Sequence, residues 1–143
     1  MTLSEFRKRS NAFVANLDYH IGEVVDHNKK LIQLNTDQLE ESKTSKGGAL
    51  INTKTGSAYY SIPYGKKKGY TKPDLFVDGS FYKSIDILFN EPKEYVMLGY
   101  ASVTKYLVEM YTQDLFGINN KAKAMAETTR GMSERYKKFV LNR

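Results

Sequence analysis

The chain has 143 residues, enough for one domain, and carries a net charge of +6 with 41% hydrophobic residues. It contains no cysteine, which excludes disulfides, thiolate zinc sites, iron–sulfur clusters and a cysteine nucleophile. The longest plain apolar run, Tyr95–Leu98, is far short of the ~20 residues that span a bilayer, and no apolar stretch of a secretory signal follows Arg7-Lys8-Arg9.

The first ~40 residues read as helix. Phe13, Leu17, Ile21, Val24, Asn28, Leu31 and Ile32 recur at spacings of three and four, with Gly22 a weak point and Asn35-Thr36-Asp37 a break or bend. Ser42–Gly48 is a loop by composition. Ala49–Ile51 and Ala58–Ile62 read as short strands around a turn at Gly56. Gly65 and Gly69 bracket Lys66, Lys67 and Lys68, which reads as an exposed loop. Asp78 or Ser80 is expected to cap a short helical turn over Phe81–Ser84. Ile85, Ile87 and Phe89, then Tyr95, Met97 and Gly99, alternate as two strands of a hairpin turning at Asn90–Lys93. Val103, Tyr106, Leu107, Met110 and Tyr111 form one face of a further helix, with Gly117 placed as its C-terminal glycine. Asn119 or Asn120 is expected to cap a last helix whose stripe runs from Ala122 to Val140, with Gly131 as a hinge. The predicted class is α+β: a single domain over 1–118 and a basic helical arm over 119–143. On that arm Met132, Tyr136, Phe139 and Val140 carry the strongest demand for burial, so it is expected to dock on a neighbouring subunit or virion protein, the alternative being that it folds back onto its own domain.

Charge is unevenly placed. Residues 43–73 hold seven basic and no acidic side chains, and 119–143 hold seven basic and two acidic, around an acidic centre. Such polarity suits either nucleic acid or a subunit whose opposite faces meet. Lys54, Lys66, Lys67, Lys68 and Lys72, interleaved with Tyr59, Tyr60, Tyr64 and Tyr70, form a basic loop for DNA or an acidic partner. The Walker spacing is absent, so the lysine run is no nucleotide cradle. His20, Glu23 and His27 share a helical face, but two histidines seven residues apart stand roughly 10 Å from each other, too far for one ion on a straight helix. With no paired carboxylates in a known setting and no nucleophile or metalloprotease motif, neither an enzyme nor a cofactor is expected.

Pro73-Asp74-Leu75-Phe76-Val77-Asp78-Gly79-Ser80-Phe81-Tyr82-Lys83-Ser84-Ile85 resembles the D-L-x-x-(T/D)-G-x-F-Y-x-S signature of small tailed-phage structural proteins. These are head–tail connector, neck, ring and tail-completion proteins, particularly of crAss-like, Bacteroides-infecting phages. Fainter similarity runs from about Leu31 to Asn120, through Gln38-Leu39 and Asp114–Ile118. The resemblance implies a non-enzymatic virion subunit, made in the host bacterial cytoplasm and repeated around a ring. Its partners would be its own copies and neighbouring portal, connector or tail proteins, with non-specific DNA contact in the channel and no membrane. Asp74, Leu75, Asp78, Gly79, Phe81 and Tyr82 are the residues that match. The alternative from another class is a small basic nucleic-acid-binding protein of phage or bacterial cytoplasm.

Overall fold

The computed structural model describes residues 1–69, 71–75, 79–90 and 94–141, the side chains of Asn90 and Glu94 excepted. Tyr70, Asp78 of the signature and Glu91–Lys93 of the expected hairpin turn lie outside the described residues. The α+β class holds, with seven helices and a two-stranded antiparallel sheet among the described residues.

The N-terminal forty residues form three helices. Helix α1 (Leu3–Ala15) opens with a reciprocal capping box, in which Thr2 accepts from the Glu5 amide and Glu5 accepts from that of Thr2. Helix α2 spans Leu17–Val25 and α3 spans Lys29–Glu40. The breaks fall at Asn16 and at Asp26–Asn28, and the expected break at Asn35–Asp37 is absent. The reason is what each asparagine does. Asn28 leaves the apolar stripe to cap α3, its Oδ1 accepting from Lys30 and Leu31 N–H at 3.0 Å, and His27 turns the chain with φ 54°. Asn35 instead stays in the helix and is fully buried, its amide donating to Leu115 O at 2.9 Å and Gly117 O at 2.8 Å.

The two strands expected between Ala49 and Ile62 do not form. Lys43 and Ala49 make an isolated bridge, and the Asn52 side chain folds a turn by accepting from Lys54 N–H. Thr53 then donates from N–H and hydroxyl to Met110 O and Glu109 O, carbonyls that a helix end leaves without partners. Nor is the lysine run a loop. Pro63 starts helix α4 (Ile62–Lys68), Lys66–Lys68 make its last turn against the negative end of the helix dipole, and Gly69 closes it at φ 83°. Helix α5 (Ser80–Ser84) is a single turn whose N-cap position is held by Gly79 at φ 84°, between the two residues expected there.

Strands β1 (Ile85–Asn90) and β2 (Glu94–Gly99) pair with Ile87 opposite Met97, as the alternation predicts. Ile85 and Ile87 face the core; Gly22 lets α2 approach β1, since a Cβ there would lie 2.9 Å from the Phe89 ring. The outer edge of β1 is closed by the α2–α3 corner: His27 N–H donates to Ile87 O, and Phe89 N–H donates to the Asp26 carboxylate. Among the described residues no strand pairs with the outer edge of β2. Helix α6 (Thr104–Tyr111) buries Leu107 and Tyr111 but leaves Tyr106 outside, and a 3-10 turn (Gln113–Leu115) follows. The core joins Leu31, Leu39, Leu50, Leu75, Phe81, Ile87, Leu107, Leu115 and Ile118.

Helix α7 (Lys121–Leu141), opened by Asn120 accepting from Lys123 N–H, lies along α1, α2 and α3. The helix thus packs on its own chain, the alternative to the expected docking on a neighbour. The helix is long because it spans three helices of its own chain. Gly131 is a contact and no hinge: a Cβ there would stand 2.6 Å from Val24 Cγ1.

Candidate functional site

Of the phage-like signature, Leu75, Ser80 and Phe81 line one cleft. The segment Asn52–Ser61 forms one wall, with α4, α5 and α6 completing it, around a volume of about 690 Å³. That size is typical of small-ligand sites, as is a lining dominated by apolar and aromatic side chains. Leu75 and Phe81 are buried in its floor, Leu75 held at φ 60°. Tyr60 and Tyr64 meet edge to face at 4.8 Å between centroids.

Asp74 organises the side of the cleft. It receives the Lys68 ammonium and its amide donates to the Tyr60 hydroxyl at 3.2 Å, while Lys68 also donates to Tyr60 at 2.9 Å. The Tyr82 hydroxyl donates to the Asp74 carbonyl. Burial alone would lower the Lys68 pKa, but hydrogen bonds to Asp74 and Tyr60 outweigh it and the value rises. Lys68 is therefore a structural cation, with 14% of its side chain exposed, and does not belong to a free basic loop. Tyr82 is pushed up by burial first and then by the Asp74 charge.

The other basic candidates stay in solvent, and they diverge. Lys54 sits exposed in the turn between Asn52 and Thr55, which line the cleft. At ~100° per residue, Lys67 follows Tyr64 by one turn on the same side of α4, whereas Lys66 points about 160° away from Lys68. Lys72 is exposed beyond the helix.

Tyr111 is the residue the sequence pattern missed. It fitted the apolar face of α6 and carried no other signal. It is 7% exposed, lines the cleft, and its hydroxyl makes no hydrogen bond among the described residues. Burial, with Tyr60 nearby, pushes its pKa up to about 12, so it remains a neutral phenol able to donate.

The remaining candidates gather where α7 meets α1 and α2. His20 is buried, stacked on Phe13 with ring centroids 4.1 Å apart, and accepts at Nδ1 from Arg135 Nε at 2.8 Å. His27 reaches instead to Asp86 at 2.7 Å, so the two histidines serve different contacts. Tyr136 meets Phe13 edge-on at 5.3 Å and its hydroxyl lies 3.3 Å from that of Ser10. Val140 is fully buried and Met132 partly so, all within the chain; Phe139 keeps 53% of its surface exposed while covering His20. Among the described residues no three metal-ligating side chains gather, and no helix is long and apolar enough to cross a membrane. Compared with protein-family models, curated proteins and solved structures, the chain matches none at a significant level.

Proposed function

We propose that the chain is a non-enzymatic structural subunit of a tailed-phage virion, assembling with its own copies into a ring at the head–tail connector or tail-completion position. One observation carries the assembly part of this reading. Large apolar and aromatic side chains stand in solvent on several elements, among them Leu3 at 75%, Ile62 at 76%, Tyr100 at 64% and Tyr106 at 63% exposure. Exposed tyrosines are efficient interface residues, because a rigid ring buries much area at little entropic cost. The signature around Asp74–Ser84 supplies the phage context, and the neighbours it implies are portal, connector or tail proteins in the particle. Electron microscopy of the purified protein, backed by native mass spectrometry, tests the reading. Closed rings of one copy number are expected. A monomer at every concentration examined, in the presence and absence of DNA, overturns it.

A further inference from the structure

The outer edge of β2 has a hydrogen-bond register that fits a copy of itself. In an antiparallel strand the N–H and C=O of one residue point to the same side, and those of the next residue to the other. His27 N–H reaches Ile87 O and Phe89 N–H reaches Asp26, so Ile87 and Phe89 turn away from β2. Tyr100 N–H, one position beyond β2, donates to Ser84 O at 3.2 Å. The even positions of β2 therefore bond to β1, and Tyr95, Met97 and Gly99 present their N–H and C=O groups at the outer edge. Among the described residues nothing bonds to those groups. Natural sheet edges are blunted by lysine, proline or a bulge. Tyr95–Gly99 hold no charge and no proline, and their register with β1 is unbroken.

We infer that β2 pairs antiparallel with β2 of a second copy, across a two-fold axis at Met97. In that register Met97 opposes Met97 of the second copy and Tyr95 opposes Gly99, so every outward N–H and C=O of the strand is used. An axis at Val96 would leave Gly99 without a strand partner. Opposed residues share a face, so Tyr95, 39% exposed in one copy, lies over Gly99 of the other, the pairing by which an aromatic ring shields an edge glycine. Phe116, whose Cζ would stand 3.3 Å from a Cβ at Gly99, flanks that ring and borders an open groove of about 680 Å³ beside Tyr95 and Met97. On the other face Val96 meets Leu98. A chain of net charge +6 meets itself most readily along an uncharged strip. A strand of another protein would find the same bonds without this match of large against small. The inference does not rest on the ring, since a two-fold pair is complete without one.

The chain has no cysteine, so introduced thiols report the register without background. Val96→Cys protein mixed with Leu98→Cys protein and oxidised with copper phenanthroline should form a disulfide between positions 96 and 98 of different copies. These positions oppose each other in a pair without hydrogen bonds, where side chains lie closest. Each variant alone should cross-link far more slowly. Tyr95→Pro removes an N–H that the fold does not use, at an edge position where proline is tolerated. It should halve the mass seen by sedimentation and leave the helical circular dichroism unchanged. Tyr95→Ala keeps the amide and should weaken the pair roughly two- to thirtyfold, because the ring contact occurs twice. A mixture that forms no disulfide, or Val96→Cys alone cross-linking as fast as the mixture, overturns the inference. So does a mass unchanged by Tyr95→Pro, or a wild-type chain that is monomeric at every concentration, which would leave the edge to a strand of another protein.

Discussion

Arg135 donates its Nε–H to Nδ1 of His20 at 2.8 Å, 115 positions away in the sequence, and so fixes the histidine as a neutral acceptor. Its pKa is lowered, first by burial and then by the Arg135 charge, with Glu23 opposing weakly. In the unfolded chain the imidazole takes a proton near pH 6.5; in the folded chain it does so only at lower pH. Below about 6.5 the unfolded state therefore binds more protons, and stability falls as pH falls through the window beneath that value. Urea unfolding between pH 8 and 5 should show this loss, and His20→Gln should flatten it. A pH profile identical in the variant would show that another group controls it.

The contact of Gly131 with Val24 makes a substitution that helix propensity favours turn out badly. Gly131→Ala should gain ~1 kcal/mol from propensity. It must also force a Cβ to within 2.6 Å of a stiff β-branched side chain between α7 and α2. Overpacking of this kind costs ~1–3 kcal/mol, so net destabilisation is expected. Adding Val24→Ala should recover most of the loss, and a thermal double-mutant cycle measures that coupling.

Lysines that are adjacent in sequence should behave differently. Lys66→Glu and Lys67→Glu change exposed positions and should leave stability within ~0.5 kcal/mol. Lys68→Met removes the ammonium from its pair with Asp74, which is 15% exposed. A loss of roughly 2–4 kcal/mol is expected, toward the lower end of the cost of breaking a buried pair because some solvent still reaches both groups. Chemical denaturation of the three single variants distinguishes them.

Asn35 holds two backbone carbonyls of the 115–117 segment from the middle of α3, and Gln38 a third bond at 2.9 Å to Gly117. Asn35→Leu keeps the branched shape, though with bulkier methyl groups, and removes the donors, leaving Leu115 O without its bond. A loss of ~2–4 kcal/mol is expected. Hydrogen exchange should localise the loosening to Leu115–Asn119, whose own amide is anchored by Gln38 Oε1.

The hairpin was legible because alternation over Ile85–Phe89 and Tyr95–Gly99 has one solution, and the period of the last helix because nine positions keep one stripe. What the stripe packs against was not legible. Tyr136 and Phe139 ask for burial but do not say in which chain, and the answer lies in Phe13 and His20, more than a hundred residues upstream. The segment from Ala49 to Lys68 misled for a different reason. Its β-prone Tyr59, Tyr60 and Ile62 were read by local propensity, whereas Pro63 and the open carbonyls at the end of α6 decide its conformation. Asparagine was ambiguous throughout: Asn28 caps a helix and Asn35 sits inside one, and only tertiary partners tell them apart. In the cleft, Leu75 and Phe81 came from the signature, but Tyr111 could not, since a tyrosine that fills a core and one that lines a cleft have the same spacing.

The corner at Asp26–His27 acts on the sheet as a stopper. With β1 sealed along its outer side, the edge left without a strand among the described residues is that of β2, so two molecules joined there use up the side each has to offer. Edge-to-edge growth ends at pairs and cannot run on into fibrils. The ring proposed above, whose contacts would repeat head to tail, would have to be built from other surfaces, such as the helices that expose Leu3, Ile62 and Tyr106.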